Sequence, residues 1–263
     1  LMAETALNPA PLADEPPRRL QFRRVIDMIL RPRATLSELR TIDQPVWLTP
    51  LLLIIALLIV RVLVTAPLKA AQAQSGEITG PGFEYYTPEQ QAQLQQALQA
   101  TQGPVFQYIF PIAWALISAL LLWSITAGLL YLISTLRGGR GSMTRALNLV
   151  AWASVPTLIH LAVQVIGVQT SGKLIASPGL SGFTPPPPEG SILARALLSR
   201  IDIYWLWHIA LLVIGLKLFT GLSARKTWVT VLATIAIVML LRIVPDLLAA
   251  QLSGLTVVQP FLF

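Results

Sequence analysis

The side chains able to do chemistry inside the apolar parts of this sequence are few. Two histidines, His160 and His208, lie in hydrophobic runs. An imidazole in such surroundings can ligate the metal of a tetrapyrrole. The pair could supply the axial ligands of one haem, or one ligand each to two (bacterio)chlorophylls. Trp205 and Trp207 flank His208 and could give a macrocycle aromatic contacts. Three charges join the histidines: Arg61, Arg242 and Asp246. Arg242 and Asp246 stand one helical turn apart and can pair on one face. Arg61 could complete an intramembrane ion pair with them from another run. Each feature also has a plain structural reading. The histidines could be hydrogen-bonded packing residues, and the charges a clasp or groups that snorkel to an interface.

No enzyme constellation accompanies these residues. There is no Cys, so thiolate chemistry, disulfides and Cys-ligated metals are excluded. No P-loop, dinucleotide fingerprint or HExxH motif occurs, and no acid pair recurs in the apolar runs. Two histidines fall short of a zinc ligand set. Neither a catalytic residue nor a metal site is expected.

The elements that must position these side chains follow from composition. Of 263 residues, 54% are hydrophobic and 12% charged, against about 25% charged in ordinary globular chains. The mean hydropathy is +0.67. So few charges cannot cover a soluble surface, and an integral membrane protein remains. Five apolar runs are long enough to span: residues 46–64, 104–136, 146–168, 202–222 and 227–250. The second, 33 residues, must tilt, kink at Pro111 or project beyond the bilayer. Short links at 137–145 and 223–226 predict antiparallel hairpins.

Basic residues set the orientation. Twelve of the 19 Lys and Arg residues lie before the first span, between the second and third, or between the fourth and fifth. The positive-inside rule then places the N-terminus in the cytoplasm and the C-terminus outside. Nucleic acid is a poor reading of the +7 charge, because the basic residues flank apolar runs as a membrane surface requires. Counted from their span ends, His160 and His208 both fall in the outer leaflet at similar depth.

Outside the spans, residues 1–17 read as a flexible Pro/Ala-rich lead. Residues 18–45 form a cytoplasmic interfacial segment. In it Leu20, Phe22, Val25, Ile26, Ile29 and Leu30 fall largely along one helical face, opposite arginines that include Arg18, Arg19, Arg23 and Arg24. Those arginines suit an anionic lipid surface. A Gln-rich helix is expected over Pro88–Thr101, and a polyproline spacer at Pro185–Pro188. Residues 251–263 form an aromatic, apolar external tail suited to partner contacts.

The run Leu136–Pro156, LRGGRGSMTRALNLVAWASVP, resembles the signature linking the second and third spans of the Yip domain family, the Ypt/Rab-interacting multi-spanning membrane proteins. Gly138, Gly139, Gly141 and Pro156 carry it. The fourth span, with Asp202, Trp205 and Gly215, is similar to the family's next signature. The resemblance covers about residues 23–250. It implies a five-helix α-bundle without catalytic activity. The acidic-Leu-Tyr-Gly-Pro element of eukaryotic members is missing, which puts a Rab-type GTPase partner in doubt and points to the prokaryotic branch.

The expected fold is therefore an all-α integral membrane protein, a five-transmembrane-helix bundle with an N-terminal amphipathic interfacial helix. The expected role is a non-catalytic scaffold or accessory subunit, in contact with lipid and other membrane subunits, in a prokaryotic cytoplasmic membrane. A pigment- or haem-binding subunit using His160 and His208 is the first alternative. A transporter or channel using Arg61, Arg242 and Asp246 is the second.

Overall fold

A computed structural model describes residues 20–75, 87, 89, 103–185 and 190–253, with the side chains of 73–75, 246 and 249–253 outside that description. All but Glu89 of the expected helix at Pro88–Thr101, Pro186–Pro188 of the polyproline run, the 1–17 lead and residues 254–263 of the tail lie outside the described residues.

Proline and glycine punctuate the helices. α1 (Phe22–Leu30) ends where Pro32 follows, and Pro32 occupies the first turn of α2 (Pro32–Leu39), where its missing N–H costs nothing. α3 (Leu48–Ser75) runs well past the expected end at Val64 and continues through Pro67. α4 (Phe110–Leu136) carries Pro111 in its first turn, where its missing N–H is tolerated. A π-helical turn at Val105–Ile109 precedes it. The third span is two helices, α5 (Met143–Ala153) and α6 (Val155–Ser171). They meet at Ser154, whose φ and ψ of −82° and 3° leave the helical region. Pro156, lacking an N–H, falls in the first turn of the new helix. α8 (Ile203–Thr220) is capped by Asp202 and ends at Gly221, which takes a left-handed φ of 68°. α9 (Ala224–Ser253) contains Pro245.

Five helical stretches are long and apolar enough to cross a membrane: Leu48–Gln72, Val105–Leu136, Met143–Ser171, Ile203–Thr220 and Ala224–Pro245. The described residues form helices and loops with no strand. This is the expected all-α bundle. The loop between the third and fourth candidate spans holds more structure than a spacer. A 3₁₀ turn at Gly179–Phe183 packs on a short helix, α7 (Ile192–Leu198), and α7 packs on α9. Arg195 ties that loop together by donating to the carbonyls of Ala176 and Thr184.

α8 is the central helix, packed against α5, α6 and α9. α4 closes the ring against α3, α5 and α9, and α3 packs along α6. The starts of α3, α5 and α9 and the ends of α4 and α8 gather at one end, here called the basic end. There α2 sinks into the bundle, with Leu36 and Leu39 fully buried. Gly215 makes this possible. A Cβ at that position would stand 2.1 Å from Leu149 Cδ1 and 3.3 Å from Leu36 Cδ2. Leu149 and Leu36 are themselves buried, so neither has space to retreat. Gly215→Val is expected to destabilise the bundle by about 1–3 kcal/mol through overpacking. Thermal unfolding in detergent, followed by tryptophan fluorescence, would register this as a lowered midpoint.

Candidate functional site

Two junctions between helices carry polar side chains with defined partners. The first joins α6 to α8 at the end opposite the basic end. Asp202 uses both carboxylate oxygens there. Oδ1 accepts from the Trp205 backbone N–H at 2.7 Å, which caps α8. Oδ2 lies 3.1 Å from His160 Nδ1. The other ring nitrogen, Nε2, is 2.6 Å from the Gln164 amide nitrogen one turn along α6. An Nδ1–H tautomer satisfies all three groups: the ring donates to Asp202 and accepts from Gln164. Tyr204 stacks on the imidazole with centroids 5.1 Å apart. The arrangement is a hydrogen-bonded lock between two helices, with the Asp202 carboxylate accepting from the α8 backbone and from the imidazole.

His208 belongs to a different level. Its Nδ1 donates to the Ala153 carbonyl at 2.8 Å. That carbonyl lies at the break between α5 and α6, so the histidine supplies a donor where the helical ladder is interrupted. Nε2 of His208 has no hydrogen-bond partner among the described residues. The sequence places the two rings at one depth. Their contacts separate them by the six residues from Asp202 to His208, about 9 Å of helical rise. The discrepancy arises because the helix ends are not flush: α6 runs beyond the start of α8, so counting each histidine from its own helix end misaligns them. Both nitrogens of His160 are engaged, whereas His208 keeps one open.

Arg61 is exposed on α3, within Coulombic range of His160 and without an acid partner among the described residues. Arg242 is exposed on α9, and its carbonyl accepts from Arg200 Nη2 at 3.4 Å. The side chain of Asp246 lies outside the described residues, and with it the expected Arg242–Asp246 pair.

The second junction, at the basic end, was not singled out in the sequence. Asn148 on α5 is completely buried. Its Oδ1 accepts from the Val46 N–H at 2.9 Å, and its Nδ2 donates to the Gln44 carbonyl at 2.9 Å. One turn on, Trp152 Nε1 donates to the Val46 carbonyl at 3.0 Å. Two side chains of α5 thus satisfy the backbone that enters α3. A polar Asn within the apolar run ALNLVAWA was the available signal. Above this junction, Arg145 and Asp43 form an ion pair at 2.6 Å, and Trp123 donates to the Leu147 carbonyl at 3.2 Å.

The model of the Yip1 domain matches residues 26–244 of the chain. The chain belongs to the Yip1 domain family. No curated protein and no solved structure matches it. The Yip1 match begins inside α1 and ends inside α9, so it takes in both junctions and α2.

Residues of the Yip1-like link have concrete places. Gly138 takes a φ of 85°, a left-handed turn that a Cβ would strain. A Cβ on Gly139 would stand 2.9 Å from the Ser134 carbonyl oxygen and 3.2 Å from Thr220 Cβ. The α4–α5 link is thereby pressed against the end of α8, where Arg140 N–H donates to the Thr220 carbonyl at 3.2 Å. Gly141 has open space around it and lines a shallow cleft with Tyr131, Ser142, Arg145 and Phe219. Trp205 packs partly buried on the core. Arg18 and Arg19 lie outside the described residues, Arg23 is exposed, and Arg24 lies 3.5 Å from Glu38 on α2.

Two outcomes follow. Asn148→Leu keeps the branched shape but strands the Val46 N–H and the Gln44 carbonyl. It is expected to cost about 1–3 kcal/mol, the usual penalty of an unsatisfied buried group, seen as a lowered unfolding midpoint in detergent. At the other junction, Asp202→Asn retains an acceptor for the Trp205 N–H and loses the carboxylate facing His160. Asp202→Ala loses both, so it should unfold at the lower temperature, by about 1 kcal/mol of lost capping. Equal midpoints for the two variants would show that the cap contributes nothing.

Proposed function

We propose that this chain is a non-catalytic membrane scaffold or accessory subunit that organises a membrane protein complex or the membrane itself. It is an integral membrane protein of the Yip1 family, with five candidate spans. One observation carries the finer reading. The polar side chains at the two junctions and at the α5–α6 break hold helices together: Asn148 and Trp152 on the entry to α3, Asp202 and His160 between α6 and α8, and Nδ1 of His208 on the break. Groups committed to such links are not poised to bind and turn over a substrate. In this reading the basic end faces the cytoplasm of a prokaryotic cell, because short Arg-rich links are retained on that side.

A second reading has one observation in its favour. His208 donates through Nδ1 to a backbone carbonyl, the orientation that directs an open Nε2 toward an axial metal. A single tetrapyrrole ligand at His208 fits this better than a pair with His160.

Purification in mild detergent, with identification of co-purifying chains and an absorbance spectrum, tests both readings. A stoichiometric membrane partner supports the scaffold. A protein that runs alone and colourless in native membranes of its source counts against both. A Soret or chlorophyll band that disappears in His208→Ala and survives in His160→Ala supports the second reading.

A further inference from the structure

The N-terminal hairpin carries an apolar face that the bundle does not use. α1 turns Met28 into the core, where it is 0% exposed, and packs Val25 and Ile29 beside it. A neighbouring stripe holds Phe22, Ile26 and Leu30 at i, i+4 and i+8. These residues are exposed by 57%, 58% and 71%. An ordinary surface helix has one apolar face and spends it on its core. α1 has two, and only one is occupied.

Its position says where the second face lies. The Gln21 N–H donates to Thr49 Oγ1 in the first turn of α3, at 2.8 Å. α1 also packs against α6, whose first residue, Val155, follows Met143 at the start of α5 by twelve residues. That is about 18 Å of helical rise. α1 therefore lies alongside the membrane helices, level with the first turn of α3 and with α6, rather than beneath the bundle.

The charges around it are not neutralised by the protein. The acids described at the basic end are Asp27, Glu38 and Asp43. Glu38 is taken by Arg24 and Asp43 by Arg145. Arg23, Arg31, Arg33 and Arg40 on the hairpin, Arg140 on the α4–α5 link and Arg225 at the start of α9 are all exposed. None of the six has an acid partner among the described residues.

We propose that the α1–α2 hairpin is a leaflet-embedded recognition element for anionic phospholipid. Phe22, Ile26 and Leu30 enter the acyl layer, while Arg23, Arg31, Arg33 and Arg40 hold headgroup phosphates. An anionic leaflet meets both requirements at once. A nucleic acid would use the arginines and leave the stripe in water. The inference rests on the chain being membrane-embedded and is independent of any partner subunit or pigment.

The absence of native Cys makes the test direct. Ile26→Cys is labelled with a bimane dye, and the full chain is reconstituted into vesicles of phosphatidylcholine and phosphatidylglycerol. Quenching by doxyl-labelled lipid without quenching by iodide is expected, and the same dye at Ser37→Cys, an exposed position of α2, should respond to iodide. Iodide quenching at position 26, or shielding from both quenchers as a covering protein would give, overturns the proposal. In a second arm, native mass spectrometry of protein released from the same vesicles should show several-fold enrichment of phosphatidylglycerol. That enrichment should be lost in the combined variant Arg23→Gln, Arg31→Gln, Arg33→Gln, Arg40→Gln. Enrichment that persists in the variant, or is absent from the native chain, overturns it. Should the combined variant not reconstitute, Arg23→Gln and Arg33→Gln singly carry the same test in smaller steps. Failure here leaves the scaffold reading to its own co-purification test.

Discussion

Backbone polar groups in hydrocarbon must find partners within the protein. Asn148 meets that demand where the chain first enters the membrane. The segment before α3 is not helical, so Gln44 and Val46 have backbone groups outside any helical ladder. Asn148 and Trp152 pair with three of them from inside the bundle. Both side chains project from α5, which also packs on α4 and α8. The entry of the first span is therefore tied to the middle of the fold, and the position of α3 follows from it. The same demand recurs at the α5–α6 break, where His208 bonds the Ala153 carbonyl, and at the start of α8, where Asp202 caps an otherwise open turn.

This accounts for how little polar chemistry is left over. A five-helix bundle with breaks and caps inside the apolar layer must spend its polar side chains on repairing them. His160 shows the economy: one nitrogen steadies the carboxylate that caps α8, and the other engages Gln164. Such a lock is stiff and local. It joins α6 to α8 at one end, while Asn148 joins α5 to the entry of α3 at the other. Between them, packing of small residues such as Gly215 allows Leu36 of α2 to reach the core. The hairpin thereby becomes part of the bundle instead of a loosely attached surface helix.

Much of this fold was legible in the linear pattern. Apolar runs of spanning length and the clustering of arginines are one-dimensional signals, and hydrocarbon thickness converts them into helices directly. The link around Gly138, Gly139 and Gly141 and the fourth span around Asp202 and Trp205 were legible as family features. Helix ends were less so. α3 passes Val64 and Pro67, because a proline late in a long apolar helix need not stop it when neighbours support the bend. The role of Asn148 was not legible, since an isolated amide in an apolar run does not name its partner 102 residues away.

What the sequence by itself determined is the class of molecule: an all-helical membrane protein of the Yip1 family, with its basic residues gathered on one side of the spans. Hydrophobic length and charge placement suffice for that, because the bilayer selects on both. Tertiary structure alone decided which polar groups meet. It separated His160 from His208 by the offset between α6 and α8, joined His160 to Asp202, and gave α1 one apolar stripe for the core and another facing outward. These outcomes depend on how far each helix slides and rotates against its neighbours, and periodicity along one chain does not contain that information.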